Sequence, residues 1–382
     1  MLKLIRGGFV YAPEEIGTKD ILVAGEKIIG IADTITPPIG IETEIIDASG
    51  KKVVPGLIDA HIHINGAGGG GGFDSRSNPA PLTRYTKAGV TTCVGCMGID
   101  KIGFSLEGLL SRVNALESEG VTAYMISGSY SMPSITITSS LVKDLYLIDK
   151  VIGVKIALWE TLASHPSEDM LIKTISETRL GARLGNKAGV VVSHLGDVKG
   201  RPSDIPDLLD RIGIPNETFV MTHVNRNSDL LKQTIECGKR GIVLDLTGTI
   251  PNETKIQPSK ALRILLDGGV PLDNVTMTSD SNGAVKFENE EGLVLPIDIC
   301  VHEIQDMVKR EGFSLTDALK TMTVNPARVY KLNKKGRVAE GKDADILLLD
   351  KNLDVDTVIA RGKLMLREKN PVAWGLFERQ VF

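Results

Sequence analysis

Eight apolar runs rich in Val, Ile, Thr and Met recur through the middle of this chain. They fall at 54–62, 90–97, 122–129, 151–158, 189–195, 218–224, 241–247 and 274–280. Each is continuously apolar, not alternating, which marks a strand buried on both faces, as in a parallel sheet. Between them lie stretches with helical spacing, such as SLEGLLSRVNALESEG at 105–120 and EDMLIKTISETRLGARLG at 168–185. A strand returns about every 30 residues, the length of one strand–helix unit. Eight such units predict an α/β fold, a (β/α)8 TIM barrel over residues 54–330.

The two ends break this rhythm. Residues 1–53 and 331–382 carry short strand-like segments with hairpin signals at Gly25-Glu26-Lys27 and Arg361-Gly362-Lys363. Neither end can close a stable sheet alone. They are expected to join into one small β-sandwich flanking the barrel. A formal charge of -4 leaves no electrostatic footprint for a nucleic acid. No apolar run reaches the roughly 18–20 residues of a membrane span. The apolar stretch at the start of the chain is too short for a signal-peptide core. Four cysteines, Cys93, Cys96, Cys237 and Cys300, are too few for a disulfide framework, so a cytoplasmic setting is expected. Cys93 and Cys96 lie inside an apolar run with no second pair to complete a zinc site. They read as buried structural residues.

Chemistry gathers at the ends of the runs. His61 and His63 close VPGLIDAHIH, Lys155 lies in VIGVKIAL, His194 in GVVVSHLG, His223 in TFVMTHV, and Asp280 ends NVTMTSD. Four of the six histidines fall in this set. In a (β/α)8 barrel the C-terminal strand ends build the site. His61 and His63, two apart on one strand, point the same way. Imidazole and carboxylate are ligands for divalent metals, and a His-rich set with one carboxylate favours zinc. A lysine inside an apolar strand is costly unless its amine is neutral or modified. A neutral amine can add carbon dioxide, giving a carbamate long enough to bridge two metals. The run Gly66–Gly72 follows the first strand and reads as an active-site loop where backbone approaches a ligand. It lacks the lysine and hydroxyl residue of a phosphate-binding P-loop.

On VPGLIDAHIH, VIGVKIA, SHLGD, THVNRN and TSDSNG, with SGSYSMPSITIT at 127–138, the chain resembles the amidohydrolase superfamily. Within it, the resemblance is to the bacterial isoaspartyl (β-aspartyl) dipeptidases, over nearly the whole chain. The resemblance implies two divalent metal ions, one on His61, His63 and Asp280, the other on His194 and His223. Lys155, carboxylated from carbon dioxide or bicarbonate, would bridge them along with a hydroxide that attacks an amide carbonyl. Asp280 would carry the proton to the leaving amine, and Tyr130 would hydrogen-bond the carbonyl oxygen. Arg226 would anchor the leaving residue's carboxylate. The family forms large rings, so a homo-oligomer is expected.

Other substrate contacts depart from the family pattern. Gly70 stands where the family has a glutamate for the substrate amine, and the nearest acid in sequence is Asp74. Ile99 and Ala284 replace a threonine and a serine that hold the aspartyl carboxylate, and Leu162 replaces a second arginine. Gly68, Gly70, Asp74, Ile99 and Ala284 are therefore the expected substrate-binding positions beside Arg226 and Tyr130. The expected activity is hydrolysis of β-aspartyl dipeptides. An N-acyl amino acid, or a cyclic amide of the dihydroorotase or hydantoinase kind, is the alternative substrate.

Overall fold

A computed structural model describes residues 2–249, 255–286 and 292–379. Its centre is a sheet of eight parallel strands in chain order. Barrel strands 1 to 8 are Leu57–Ile62, Val90–Gly95, Thr122–Gly128, Val151–Leu158, Val190–Leu195, Phe219–Thr222, Val243–Thr247 and Val275–Thr278. The circle closes at the C-terminal ends. There the Asp280 amide donates to the His61 carbonyl (3.1 Å) and the His63 amide donates to the Ser281 carbonyl (3.0 Å). Helices follow the strands and cover the sheet's outer face. Ser105, Ser140, Ser167 and Asn227 each start one by accepting a hydrogen bond from the amide three residues on.

The inner face of the barrel is layered. At its N-terminal end Ile58, Val94, Ile126, Ile152, Val190, Val220 and Val243 pack together. Val329, Tyr330 and Leu332, at the end of the helix Val324–Val329 and just beyond it, join the same cluster and plug the bottom. Above this layer lies a buried polar one. Asp245 on strand 7 accepts hydrogen bonds from Thr222 (2.7 Å), Thr276 (2.8 Å) and Thr278 (2.7 Å), tying strands 6, 7 and 8. Along strand 5, Val190, Val192 and His194 are two apart and share a face, so the apolar floor continues directly into the chemical mouth.

Both chain ends build the second sheet. Leu2–Tyr11 pairs with Glu15–Ala24 on one side and with Thr43–Asp47 and Lys52–Pro55 on the other. Ile346–Leu349 pairs antiparallel with Lys52–Pro55, which splices the C-terminal strands onto the N-terminal ones. Ile5, Val10, Ile21, Val23, Ile28 and Val53 pack with Val338, Ile346, Leu348 and Ile359 in a core of their own. This pairing explains a difference from the sequence pattern. The run at 54–62 is one apolar stretch, yet the first barrel strand starts at Leu57 because Val53 and Val54 are paired with Leu348 and Leu347. No helix among the described residues is long and apolar enough to cross a membrane.

The terminal sheet is locked to the barrel by a buried ion cluster. Lys335 Nζ lies 2.6 Å from Asp345, 2.9 Å from Asp343 and 2.7 Å from the Thr122 hydroxyl at the start of barrel strand 3. The Lys335 and Asp345 side chains are 4% and 5% exposed. Removing one member strands a buried charge, which costs far more than the pair itself contributes. Lys335→Met is expected to lower unfolding stability by about 3–5 kcal/mol in urea melts. A loss below about 1 kcal/mol would show that water or another cation reaches Asp345.

Candidate functional site

The five strand-end residues and Lys155, inside strand 4, meet in one cluster at the C-terminal mouth of the barrel. Lys155 Nζ lies 3.0 Å from His61 Nε2. Asp280 Oδ1 is 3.2 Å from His63 Nε2 and 3.6 Å from His61 Nε2. The His223 ring centroid is 5.2 Å from that of His61 and 4.6 Å from that of His194. His61, His63, Lys155, His194 and His223 are at most 6% exposed, while the Asp280 side chain keeps 20% and faces the opening.

Local backbone aims these groups. His223 and Asp280 lie just past the ends of strands 6 and 8, and both adopt left-handed φ values, +68° and +52°. That conformation is uncommon outside glycine and is tolerated where surrounding structure enforces it. Thr247 Oγ1 contacts His223 Nδ1 at 2.6 Å, and the Asn225 side chain donates to the Thr247 carbonyl at 2.9 Å. Below His61, the buried Asp59 carboxylate accepts the Ser279 hydroxyl and, at 3.2 Å, the Ser279 amide. The Asn282 amide group donates to the His63 carbonyl at 2.9 Å. A shell of buried polar side chains thus fixes the strand ends against one another.

The electrostatics suit metal ligation. Burial pushes the pKa values of His61 and His223 well below the ordinary imidazole value, and that of His194 down to about 4. These rings are therefore neutral with a free lone pair. Burial opposes the charge of Asp280, but His223, His63 and His61 around it hold its carboxyl well below the usual range. The Nδ1 atoms of His61 and His63 are buried without a protein partner. Two overlapping groups bring their ligand atoms within 4.8 Å of one another: His61, His63 and Cys96, and His61, His223 and Asp280. Neutral imidazoles beside an ionised carboxylate are the donor set that a divalent cation takes.

Two residues at the site escaped the sequence reading. Cys96 is buried, as expected, but not among core side chains alone. Its Sγ lies 3.3 Å from Lys155 Nζ and faces the metal-ligand pocket. Cys93 instead joins the hydrophobic core. The signal was present, since Cys96 directly follows strand 2 in the same strand-end position as the histidines. Glu160 was masked because acids are common in loops. Trp159 turns the chain after strand 4 with φ +53°, and Glu160 Oε2 reaches to 3.3 Å from His194 Nε2. The hydrogen bond from His194 pulls the Glu160 carboxyl down to about 2.

Tyr130 and Arg226 converge on the same imidazole. The Tyr130 hydroxyl is 2.9 Å from His194 Nδ1, and an Arg226 guanidinium nitrogen is 3.3 Å from His194 Nε2. Arg226 also pairs with Asp197 at 3.3 Å. The glycine loop folds over the loop after strand 2. A Cβ placed on Gly70 would lie 3.9 Å from Ile99 Cγ2, so those two positions share a wall. Gly68 pairs with Arg76 in an isolated β-bridge. Asp74 is exposed beside Gly72, on the outer part of the loop. The acid packed against this loop is Asp100, already paired with Arg76 at 2.7 Å. Leu162 is 62% exposed, and Ala284 opens a short hairpin with Gly292–Val294.

Residues 198–365 match the Amidohydrolase family. The β-aspartyl dipeptidase of Fervidobacterium islandicum AW-1, crystallised with a β-Asp-Leu dipeptide, is 37% identical to this chain. The alignment covers 97% of this chain and 98% of that one, with a TM-score of 0.91. A second crystal structure of β-aspartyl dipeptidase from this organism gives 36% identity and a TM-score of 0.90. A dihydroorotase of Listeria monocytogenes is 23% identical over 427 residues, covering 95% of this chain and 93% of that protein. The dihydropyrimidinase of Brevibacillus agri, at 17% identity and a TM-score of 0.69 over 98% of this chain and 97% of that one, shares the fold. At 36–37% identity along almost all of both chains, this protein belongs to the β-aspartyl dipeptidase family of the amidohydrolases and is a hydrolase.

Proposed function

We propose that the chain cleaves β-aspartyl dipeptides at a binuclear metal site formed by the strand-end cluster. The observation that carries this reading is the convergence of four neutral imidazoles, Lys155 and ionised Asp280, with Tyr130 and Arg226 at their rim. The identity to β-aspartyl dipeptidases over the full length supports it. In this reading His61, His63 and Asp280 hold one ion and His194 and His223 the other, zinc in both places. Lys155, carboxylated by carbon dioxide or bicarbonate, serves both. Bound there, divalent ions polarise an amide carbonyl and lower the pKa of water.

The remaining work falls to side chains. Asp280, ionised and facing the opening, accepts a proton at its carboxylate and returns it to the leaving amine. The Tyr130 hydroxyl donates to the carbonyl oxygen as negative charge grows there. Arg226 clamps the carboxylate of the leaving residue through charge-assisted hydrogen bonds. Gly68, Gly70, Asp74, Ile99 and Ala284 bound the acyl end. The barrel, residues 54–330, is the catalytic unit, with 1–53 and 331–382 as its flanking unit. The enzyme works as a cytoplasmic homo-oligomer.

One observation favours a second substrate. The Gly70–Ile99 wall is apolar, and Leu162 stands exposed two residues past Glu160. An apolar wall makes no strong demand for a polar acyl group. An N-acyl amino acid would use the same chemistry and the same Arg226 anchor. A cyclic amide that carries no carboxylate, such as a dihydropyrimidine, would leave Arg226 without a group to hold.

Turnover of β-aspartyl-leucine, N-acyl-leucine and a dihydropyrimidine by zinc- and bicarbonate-loaded enzyme separates these readings. The β-aspartyl peptide is expected to reach kcat/KM above about 10⁴ M⁻¹s⁻¹, the range of true substrates. Absence of its turnover beside rapid N-acyl-leucine cleavage would transfer the assignment to the second substrate. Asp280→Asn is expected to lower kcat by about 10²–10⁴-fold. Near-normal turnover in that variant would take Asp280 out of the proton path.

A further inference from the structure

At the end of the barrel opposite the metal cluster lies a cavity of about 570 Å³. Its walls come from the approaches to strands 5 and 6, the last turns of the helix Glu168–Leu184, and the end of the helix Val324–Val329. Five lining side chains are cationic, namely Arg179, Arg183, Lys187, Arg328 and Lys331, against the single acid Glu217. Arg179 and Arg183 are four residues apart on one helix and share a face. The chain as a whole has a formal charge of -4, so this concentration of positive charge is not a by-product of a basic protein.

None of these five cations is held in an ion pair among the described residues, and Glu217 is the one acid in the same wall. Elsewhere Arg240 pairs with both Asp207 and Asp210, and Arg361 with both Glu26 and Glu117. Among the described residues no carboxylate forms an ion pair with any of the five cations of the cavity. Asp149 exerts a field on Lys187 without pairing with it. The contacts they do make are to backbone carbonyls. Arg328 donates to Asp273 O (2.6 Å), Lys331 to Lys187 O (3.2 Å), and Lys187 to Ile148 O. Carbonyls orient a cation without neutralising it. Arg179, Arg183, Arg328 and Lys331 are exposed and Lys187 is half-buried, so the group presents its charge to whatever enters the cavity.

We propose that this cavity binds a small oligophosphate, a ligand carrying two or more linked phosphate groups. Guanidinium forks match phosphate oxygens in pairs, and five cations exceed what one phosphate can engage. The volume lies in the small-molecule range of about 300–1,000 Å³. The charge is gathered in a concavity, not spread along a stripe, which suits a compact anion over a nucleic-acid duplex. The metal cluster opens at the other end of the barrel, so this ligand is not the amide substrate.

Calorimetric titration of the full chain with inorganic tripolyphosphate, and separately with ATP, at about 0.1 M salt tests the proposal. Saturable binding of one ligand per chain is expected. Arg179→Ala and Arg183→Ala should each weaken it about tenfold or more, the cost of a charge-assisted contact. Lys173→Ala, on the same helix but outside the cavity and paired with Glu177, should leave it unchanged. Amide hydrolysis should be unchanged in all three variants. Tighter binding of ATP than of tripolyphosphate would identify a nucleotide, and equal binding an inorganic chain. No saturable heat, or equal weakening by Lys173→Ala, would overturn the proposal. So would a change of subunit number in the arginine variants with tripolyphosphate binding intact, which would make the cavity a subunit contact.

Discussion

A lysine buried in the middle of a strand without an anionic partner is the constraint on which the rest of the site turns. Lys155 is 1% exposed, and its amine meets an imidazole nitrogen, a thiol and the face of Tyr130. No carboxylate among the described residues forms an ion pair with it. An ammonium in that position is far costlier than an apolar side chain of the same volume. The fold retains it where four imidazoles converge, two from the end of strand 1 and two from the adjacent strands 5 and 6. Lone pairs gathered around a buried amine are an electrostatic cost within the protein. Metal ions and a modified amine would offset it, and the strained backbones of His223 and Asp280 hold the ligands ready for them.

Around that cluster the barrel is organised in shells. Val190 and Val192 carry the apolar floor up to His194 on a single strand face. Asp245 with its three threonines is a buried polar layer between the floor and the mouth, and Asp59 with Ser279 ties strand 1 to the end of strand 8. Both carboxylates find hydroxyl donors there, so these groups tie the strands they join to one another. The Lys335 cluster performs the same task at the seam with the terminal sheet. The loop rim of the mouth is organised differently. It is built from loops, with Gly70, Asp74 and Leu162 exposed, and loops are where a family changes its substrate while keeping its chemistry.

Much of this was legible in the residues. Continuous apolar runs at even spacing identify a parallel barrel; the histidines and Asp280 stand out because each sits at or near a run's end, and Lys155 because it is a lysine inside one. Residues whose meaning depends on backbone direction were not legible. Cys96 lies in the same apolar run as Cys93; three residues apart they take opposite faces, so that Cys96 packs on the inner-face cluster with its thiol against Lys155 while Cys93 joins the other core. Glu160 reaches His194 only because Trp159 adopts a left-handed turn. The start of the first barrel strand was hidden because Val53 and Val54 are as apolar as Leu57 and Ile58, and long-range pairing with Ile346–Leu349 decides between two sheets.

The most direct test of the central claim is anomalous diffraction at the zinc edge from crystals grown with zinc and bicarbonate. The account requires two peaks in the barrel mouth, one on His61, His63 and Asp280 and one on His194 and His223. Density for a carboxylated Lys155 should lie between them. A single peak held by His61, His63 and Cys96, with an unmodified Lys155, would contradict it.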